Sequence, residues 1–542
     1  MINKQEKLKK NFRSFSSNNF NLKRMLYSAF CILTIGLISG CEDFLVKEPT
    51  FLAKENYFKT AADARTALAG VYDILGREQT FGGQNVALYT LSDEGFYART
   101  ATNGIFVYNF DAANSDIANL WRLLYEGIER ANILIEKIDQ VDMDATERDA
   151  IKGEAKFLRA FYYFSLVSDF GDVPLRIVPT KSVNDVDVPR TPQREVYNFI
   201  VREMEEAEGM VKTITQIGFG GRVSKSAVRG LLAKVNLKMA GAPLNDATRN
   251  AEALKWARKI VFPESGPVEH GLNPNFRQIF TNLAADKYDI KECIWEVECY
   301  GNNLGAFEGG RFGNTVGLAN NDDDMGFSFG FINTNAKLYN SYEATDTRRD
   351  WTIAPFRYIY NTVNGVPKVR DSTLWTSAEI YNRNAGKYRR SYEVVKPKNK
   401  NYTPINFPML RYSDVLLMLA EAENEVNGPT IIAKTALKQV RDRANATDVS
   451  TSVSGQDVLR QLIRNERFLE LAYEGNRKFD LIRWGIFVST MNQLGNDIQA
   501  TAPAAFRYAS NAGRNISVRN NLFPIPLRET SLNKAATQNP GW

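Results

Sequence analysis

Residues 153–175, GEAKFLRAFYYFSLVSDFGDVPL, constrain the fold more than any other stretch of the chain. Phe157, Leu158, Phe161, Tyr162, Phe164 and Leu166 fall around most of a helix circumference instead of along one stripe. A helix apolar on nearly every side has to be enclosed by other elements, so the chain must build a body of several packed helices. Gly171 and Pro174 punctuate its end. Core packing, rather than a haem or ligand box, is the expected role of these aromatics.

Helical periodicity recurs on both sides of this segment, over 61–75, 119–138, 195–212, 224–239 and 247–260, and again over 411–427 and 432–445. Thr60 with Asp63 three residues on makes a capping arrangement for the first of these. Val228-x-x-Leu231-Leu232-Ala233-x-Val235 is echoed by Val415-x-x-Met418-Leu419-Ala420-x-Ala422. Small residues at fixed places let helices approach closely, as in stacked helix-pair repeats of the tetratricopeptide type. The fold class expected is therefore mainly α, a helical-repeat scaffold.

The run 457–485 adds charge to this pattern. Leu459, Leu462, Ile463, Leu469 and Tyr473 recur at helical spacing with Arg464, Glu466, Arg467, Glu470 and Glu474 between them, and Gly475 ends the helix. Beyond it Arg477, Asp480 and Arg483 stack on one face of a helical turn. Such density invites a catalytic reading. Fixed Arg–carboxylate pairs more often set geometry, so a partly buried ion-pair network that holds helices in register is expected.

Two stretches lack helical order. Residues 76–116 interleave glycine and asparagine with Phe81, Tyr89, Phe96, Tyr97, Phe106 and Tyr108. Residues 262–406 form a large insertion with a strand-like piece at 291–300, a glycine-dense segment at 301–331 and aromatic strand-like pieces near 358–360. Loops this long in a compact body are functional or disordered, and the aromatic content argues against disorder. Asp322-Asp323-Asp324 reads as a solvated acidic turn, because the further ligands of an EF-hand loop are missing. Cys293 and Cys299 lie too far apart along a strand to bridge, so both should be packed thiols outside any metal site. The lone His270 has no second histidine or nearby triad partners. Neither a metal nor a cofactor is expected.

The formal net charge of +6 is confined to the first 40 residues, which hold seven basic residues and one acidic one. The remainder has 61 of each, which removes any general attraction for nucleic acid. That leader has a basic start and an apolar run over 25–40, too short for a stable span. Ile38-Ser39-Gly40-Cys41 then resembles a bacterial lipobox. Residues 1–40 are expected to leave as a signal peptide, with Cys41 acylated as a membrane tether. The mature chain 41–542 is expected to form a single body. Its helical scaffold occupies about 57–260 and 411–485, its irregular ligand-binding insertion 262–406, and its proline-punctuated C-terminal wrap 486–542.

Four separated matches resemble the SusD/RagB family of outer-membrane lipoproteins from Bacteroidetes. They are Cys41 followed by Glu42-Asp43, Leu45 and Pro49; Glu154–Phe161 continuing to Phe170-Gly-Asp-Val-Pro-Leu175; Arg464-Asn-Glu-Arg467 through Glu474-Gly475 and Phe479–Trp484; and Phe523-Pro-Ile-Pro526 with Gln538–Trp542. The resemblance implies a tetratricopeptide-type scaffold with a ligand-bearing insertion, seated over a SusC-like TonB-dependent transporter as a lid that captures nutrient. It implies glycan ligands, with oligopeptides as the alternative, and an outer-membrane location facing the cell exterior.

A glycan site needs exposed aromatic platforms with polar side chains around them, because sugar rings present an apolar face and a rim of hydroxyls. The candidates are Tyr89, Asp93, Glu94, Phe96, Tyr97 and Tyr108 from the first irregular stretch and Phe307, Asn314, Asp323 and Phe327 from the second. Other function classes are a lipid-anchored glycoside hydrolase and a helical-repeat scaffold for protein contacts. Against the hydrolase, Glu466, Glu470 and Glu474 lie among basic residues, where charge pairing accounts for them. No catalytic residue is assigned.

Overall fold

Thr60 and Asp63 cap the first helix reciprocally. Thr60 Oγ1 accepts from the Asp63 amide at 3.2 Å, and Asp63 Oδ2 accepts from the Thr60 amide at 2.9 Å. Helix α1 (Ala61–Gly76) follows as expected. The computed structural model describes residues 58–83, 88, 90–182, 184, 186–300, 309–449 and 453–542. The leader, Cys41 and its acidic neighbours, Tyr89 and Phe307 lie outside the described residues.

After α1 come α2 (Ser115–Lys137), α3 (Ala145–Phe170), α4 (Gln193–Met210), α5 (Lys225–Ala240) and α6 (Arg249–Val261). Beyond the insertion lie α7 (Tyr412–Asn427), α8 (Ile431–Arg443), α9 (Gln456–Glu470), α10 (Arg477–Arg483) and α11 (Phe487–Thr501). Each of the first six packs on its successor, and α6 packs on α7 across the insertion. The result is a mainly α, helical-repeat scaffold. Helices α5 and α7, which carry the echoed segments, both pack on α6.

Helix α3 is enclosed as its sequence requires. Every residue from Phe157 to Tyr163 is buried, each large apolar one contributing about 1.5–3 kcal/mol. Gly127 on α2 permits that enclosure, because a Cβ there would fall 2.6 Å from the fully buried Tyr162 ring. The C-terminal segment closes over the end of α3. Phe523 donates its amide to Asp169 O at 2.7 Å, Asn539 Nδ2 donates to Phe170 O at 2.9 Å, and Trp542 stacks on Phe110 at 5.0 Å.

The insertion is more ordered than its sequence pattern suggests. Its described residues contain a helix at Phe276–Ala284 and take part in three antiparallel strand pairs, two of them completed from outside its bounds. Strand β1 (Gly95–Tyr97) pairs with β3 (Ile332–Thr334), and β2 (Cys293–Val297) with β6 (Phe407–Arg411). Strands β4 (Phe356–Val363) and β5 (Val366–Leu374) form a hairpin turned by Asn364 and Gly365 at φ 51° and 79°. Cys293 and Cys299 are buried and form no disulfide. His270 is buried with Nδ1 3.1 Å from Ile290 O, and burial holds its pKa below the usual value. Asp322 accepts from the Val369 amide at 2.9 Å, and Lys368 pairs with both Asp322 and Asp324, so the acidic turn is tied to β5.

In the charged run of α9 and α10, Glu466, Arg467, Glu470, Glu474, Arg477, Asp480 and Arg483 are buried in a brace deeper than the partly buried network its sequence suggests, while Arg464 stays half-buried. Arg411 donates to Glu292, Glu470 and Glu474 at 2.9, 2.8 and 2.7 Å. Arg348 meets Asp346, Glu466 and Glu470, while Lys387 adds a bond to Glu474. Burial alone would raise the Glu470 carboxyl; Arg443, Arg411 and Arg348 instead hold it well below the usual carboxylate range. Arg467 bridges Asp414 and Asp480, both at 2.8 Å. These contacts tie the insertion to α7, α9 and α10, and residues 58–542 form one compact unit.

Candidate functional site

In the segment 327–331, Phe327, Phe329 and Phe331 are half-buried while Ser328 and Gly330 between them are buried, the period of an extended chain. Strand β1 follows the same rule, with Phe96 buried and Tyr97 half-buried. Pairing of β1 with β3 brings the two sets together. The outcome is a row of five rings in the order Phe106, Tyr97, Phe331, Phe329, Phe327, with centroid steps of 4.5, 5.6, 4.8 and 4.8 Å.

Polar groups flank the row. The exposed Arg99 guanidinium lies 5.3 Å from the Phe331 centroid, and its Nη2 donates to Phe329 O at 2.8 Å. Lys400 Nζ stands 4.8 Å from the Phe327 centroid and 3.8 Å from Asp323 Oδ1. Asn109 and Asn103, hydrogen-bonded at 2.8 Å, are exposed beside the Phe106 end. Half-covered rings edged by amide, guanidinium, ammonium and carboxylate groups suit a flat, hydroxyl-rimmed ligand.

Buried residues fix the row from beneath. Asn314 Nδ2 donates to Phe327 O at 3.2 Å and to Lys400 O at 3.0 Å, while Asn314 O accepts from the Phe329 amide at 2.8 Å. Arg390 Nη1 donates to the same two carbonyls at 2.6 and 3.0 Å, and its charge is matched by Glu393 at 2.7 Å. Gly326, at φ 102°, leads the chain into the row where a Cβ would lie 2.6 Å from Arg390 Cβ.

Among the sequence candidates, the structure brings Tyr97, Asp323 and Phe327 together and sets Asn314 below them. The other four described candidates point into the interior. Asp93 is fully buried and binds Arg477 and Lys337, which hold its carboxyl below the usual range although burial opposes this. Glu94 is buried beside it, and burial, then the Asp93 charge, pushes its pKa well above the usual value. Phe96 packs against Tyr381, Phe506 and Tyr508. Tyr108 is buried at φ 55° and donates its hydroxyl to Leu91 O at 3.0 Å. These four are inside the protein rather than on a loop surface, because the irregular chain folds back against Tyr473, Arg477 of α10 and Phe487 of α11. The prominent carboxylates Glu466, Glu470 and Glu474 are likewise buried in ion pairs.

Sequence reasoning missed Arg99, Phe106, Phe329, Phe331 and Lys400. The signal for three rings was present: F-S-F-G-F at 327–331 alternates with period two. Nothing local marks Phe106 or Lys400, which join the row only through tertiary contact.

A model of the SusD family matches residues 291–542, and a second, described as starch-binding associating with outer membrane, matches residues 50–237. The chain belongs to the SusD family. Its relatives include SusD-like protein P25 of Formosa agariphila, 26% identical, covering 91% of this chain and 94% of that protein. A SusD homolog from Bacteroides thetaiotaomicron superposes with a TM-score of 0.80 at 26% identity, covering 91% and 99% of the two chains. Surface glycan-binding protein A from the same species, solved in complex with laminarihexaose, shares the fold with a TM-score of 0.68 at 22% identity over 89% and 100%. In this SusD-family chain the segment matched at 291–542 contains Phe327, Phe329, Phe331 and Lys400 together with all the basic residues of the brace. Among the described residues no helix is long and apolar enough to cross a membrane.

Proposed function

We propose that this chain is a glycan-binding lipoprotein of the outer membrane. It captures oligosaccharides at the cell surface on the row Phe106–Tyr97–Phe331–Phe329–Phe327 and passes them to a SusC-like TonB-dependent transporter, without catalysis. The observation that carries the reading is the row itself: five part-exposed rings in succession, edged by Arg99 and the Asp323–Lys400 pair. An extended row suits successive sugar units of an oligomer better than a single enclosed molecule. The family description, starch-binding and outer-membrane associated, supports the same ligand class and place. Acylated Cys41 is the proposed tether, with residues 1–40 as its signal peptide. Occupation of the prominent glutamates by arginines supports a binding role over hydrolysis.

Affinity electrophoresis in gels containing starch or laminarin, with an oligopeptide screen alongside, tests the reading. Wild-type protein should be retarded by a glycan, and Tyr97→Ala and Phe327→Ala should be retarded less at unchanged melting temperature. Retention of both variants equal to wild type would remove the row as the site, and selective peptide binding would replace the ligand class.

A further inference from the structure

A cleft of 610 Å³ lies between α1, the start of α3, the turn at 219–222 and the end of β2, and none of its lining residues belongs to the aromatic row. Glu296 forms its floor. The side chain is 2% exposed; Oε1 accepts from Asn406 Nδ2 at 3.1 Å, and Oε2 has no hydrogen-bond partner among the described residues. A buried carboxyl oxygen without a partner is costly, so a site that supplies one only on binding favours a hydrogen-bond donor as ligand. Glu298 and Asp286 stand exposed at the mouth.

The cations that line the cleft are already matched. Arg65 Nε meets Glu147 at 2.7 Å, and Arg222 forms a two-bonded pair with Glu154. No described lysine or arginine makes an ion pair with Asp286, Glu296 or Glu298, so the exposed Asp286 and Glu298 carboxylates leave the cleft mouth acidic. Its wall is aromatic: the Phe219 and Tyr288 rings lie 5.5 Å apart, and Tyr288 donates its hydroxyl to Glu298. Gly220 and Gly221 keep this space open, since a Cβ on Gly220 would lie 3.2 Å from Glu296 Cγ and one on Gly221 would collide with the Glu298 carboxyl.

Carboxyl groups beside aromatic faces suit an organic ammonium, which takes hydrogen bonds to oxygen and a cation–π contact together. A hard metal ion fits less well. Among the described residues these groups do not converge into a metal-holding set, and the rings offer it no oxygen. We propose that this cleft is a second binding site, for a small ligand that carries a protonated primary amine on a sugar-sized or alkyl body. Glu296 and Glu298 take the ammonium, and Phe219 and Tyr288 take the carbon skeleton. Burial lifts the Glu296 pKa to about 8, and a cation in contact draws it back toward the carboxylate.

Calorimetric titration of the full chain with glucosamine, N-acetylglucosamine and lysine methyl ester tests this. Binding of glucosamine alone identifies an amino sugar, binding of the lysine ester alone an amine of peptide origin, and either supports the site provided N-acetylglucosamine is rejected. Glu298→Gln and Tyr288→Ala, both at exposed positions that spare the core, should weaken the amine roughly tenfold or more. Phe329→Ala should leave it unchanged, which separates this result from the fate of the aromatic row. Equal binding of glucosamine and its N-acetyl form, no binding of either amine, or full affinity in Glu298→Gln would overturn the proposal.

Discussion

Arg477 grips both oxygens of the Asp93 carboxylate, Nε to Oδ1 at 2.7 Å and Nη2 to Oδ2 at 2.8 Å, across 384 residues of sequence. The contact ties α10 to the loop four residues before Tyr97, and Lys337 adds a bond of 2.7 Å from just beyond β3. The brace thereby reaches the two strands that hold the aromatic row together.

Replacing Arg477 by alanine removes the two-bonded partner of a fully buried charge. Breaking a buried pair on one side costs about 3–5 kcal/mol where the remaining ion loses all compensation, and Lys337, left on Asp93, holds the cost to the lower end of that range. The urea midpoint of Arg477→Ala should fall accordingly, and Arg477→Lys should fall less. An unchanged midpoint would contradict the bracing role.

Phe329 occupies the middle of the row, stacked on Phe331 with an interplanar angle of 7°. Phe329→Ala should weaken glycan retention by about 0.5–1.5 kcal/mol, the scale of one aromatic contact. Because the ring is half-buried, the melting temperature should move little. Gel retardation beside a thermal melt reads both quantities.

Asn314 never reaches the proposed ligand, yet it bonds the carbonyls of Phe327 and Lys400. Asn314→Ala removes two buried hydrogen bonds to carbonyls that keep Arg390 as a donor, at about 0.5–1.5 kcal/mol each. Stability and glycan retention should therefore drop together, unlike Phe329→Ala, where retention alone drops. Differential scanning calorimetry with the same gel assay distinguishes the two patterns.

Glu296 gives the protein a pH-dependent weakness. Burial raises its folded-state pKa from the ordinary 4.5 to about 8, so between these values the folded chain holds a proton that the unfolded chain releases. Its contribution is fully present below about 4.5 and is lost as pH rises through about 8, by at most about 1.4 kcal/mol per pH unit. Glu296→Gln should flatten this decline, and denaturant titrations across that range will measure it. An identical slope in the variant would show that the carboxyl does not titrate there.

Much of the scaffold was legible because helical periodicity is local. The Thr60–Asp63 cap, the enclosure of 153–170 and the register-holding role of the charged run all follow from residues a few positions apart. The site was legible only in part. Tyr97, Asp323 and Phe327 were read from composition and meet in the row, whereas Asp93 and Glu94 have the residue types of a binding loop and lie inside the protein. A charged pair in a glycine-rich stretch reads the same whether water or Arg477 stands opposite it.

By itself, the sequence determined most of the long helices, though not Phe276–Ala284 or α11, that 153–170 must be surrounded, and that most arginines and glutamates of 457–485 would pair. It also set, through F-S-F-G-F, which rings share a face. Only the tertiary structure decided which face is left open. Alternation orders side chains relative to one another but says nothing of what packs against either side. Pairing of β1 with β3, the grip of Arg477 on Asp93 and the bonds of Asn314 and Arg390 beneath Phe327 left the five rings part-exposed. The same contacts turned Phe96 and Tyr108 inward.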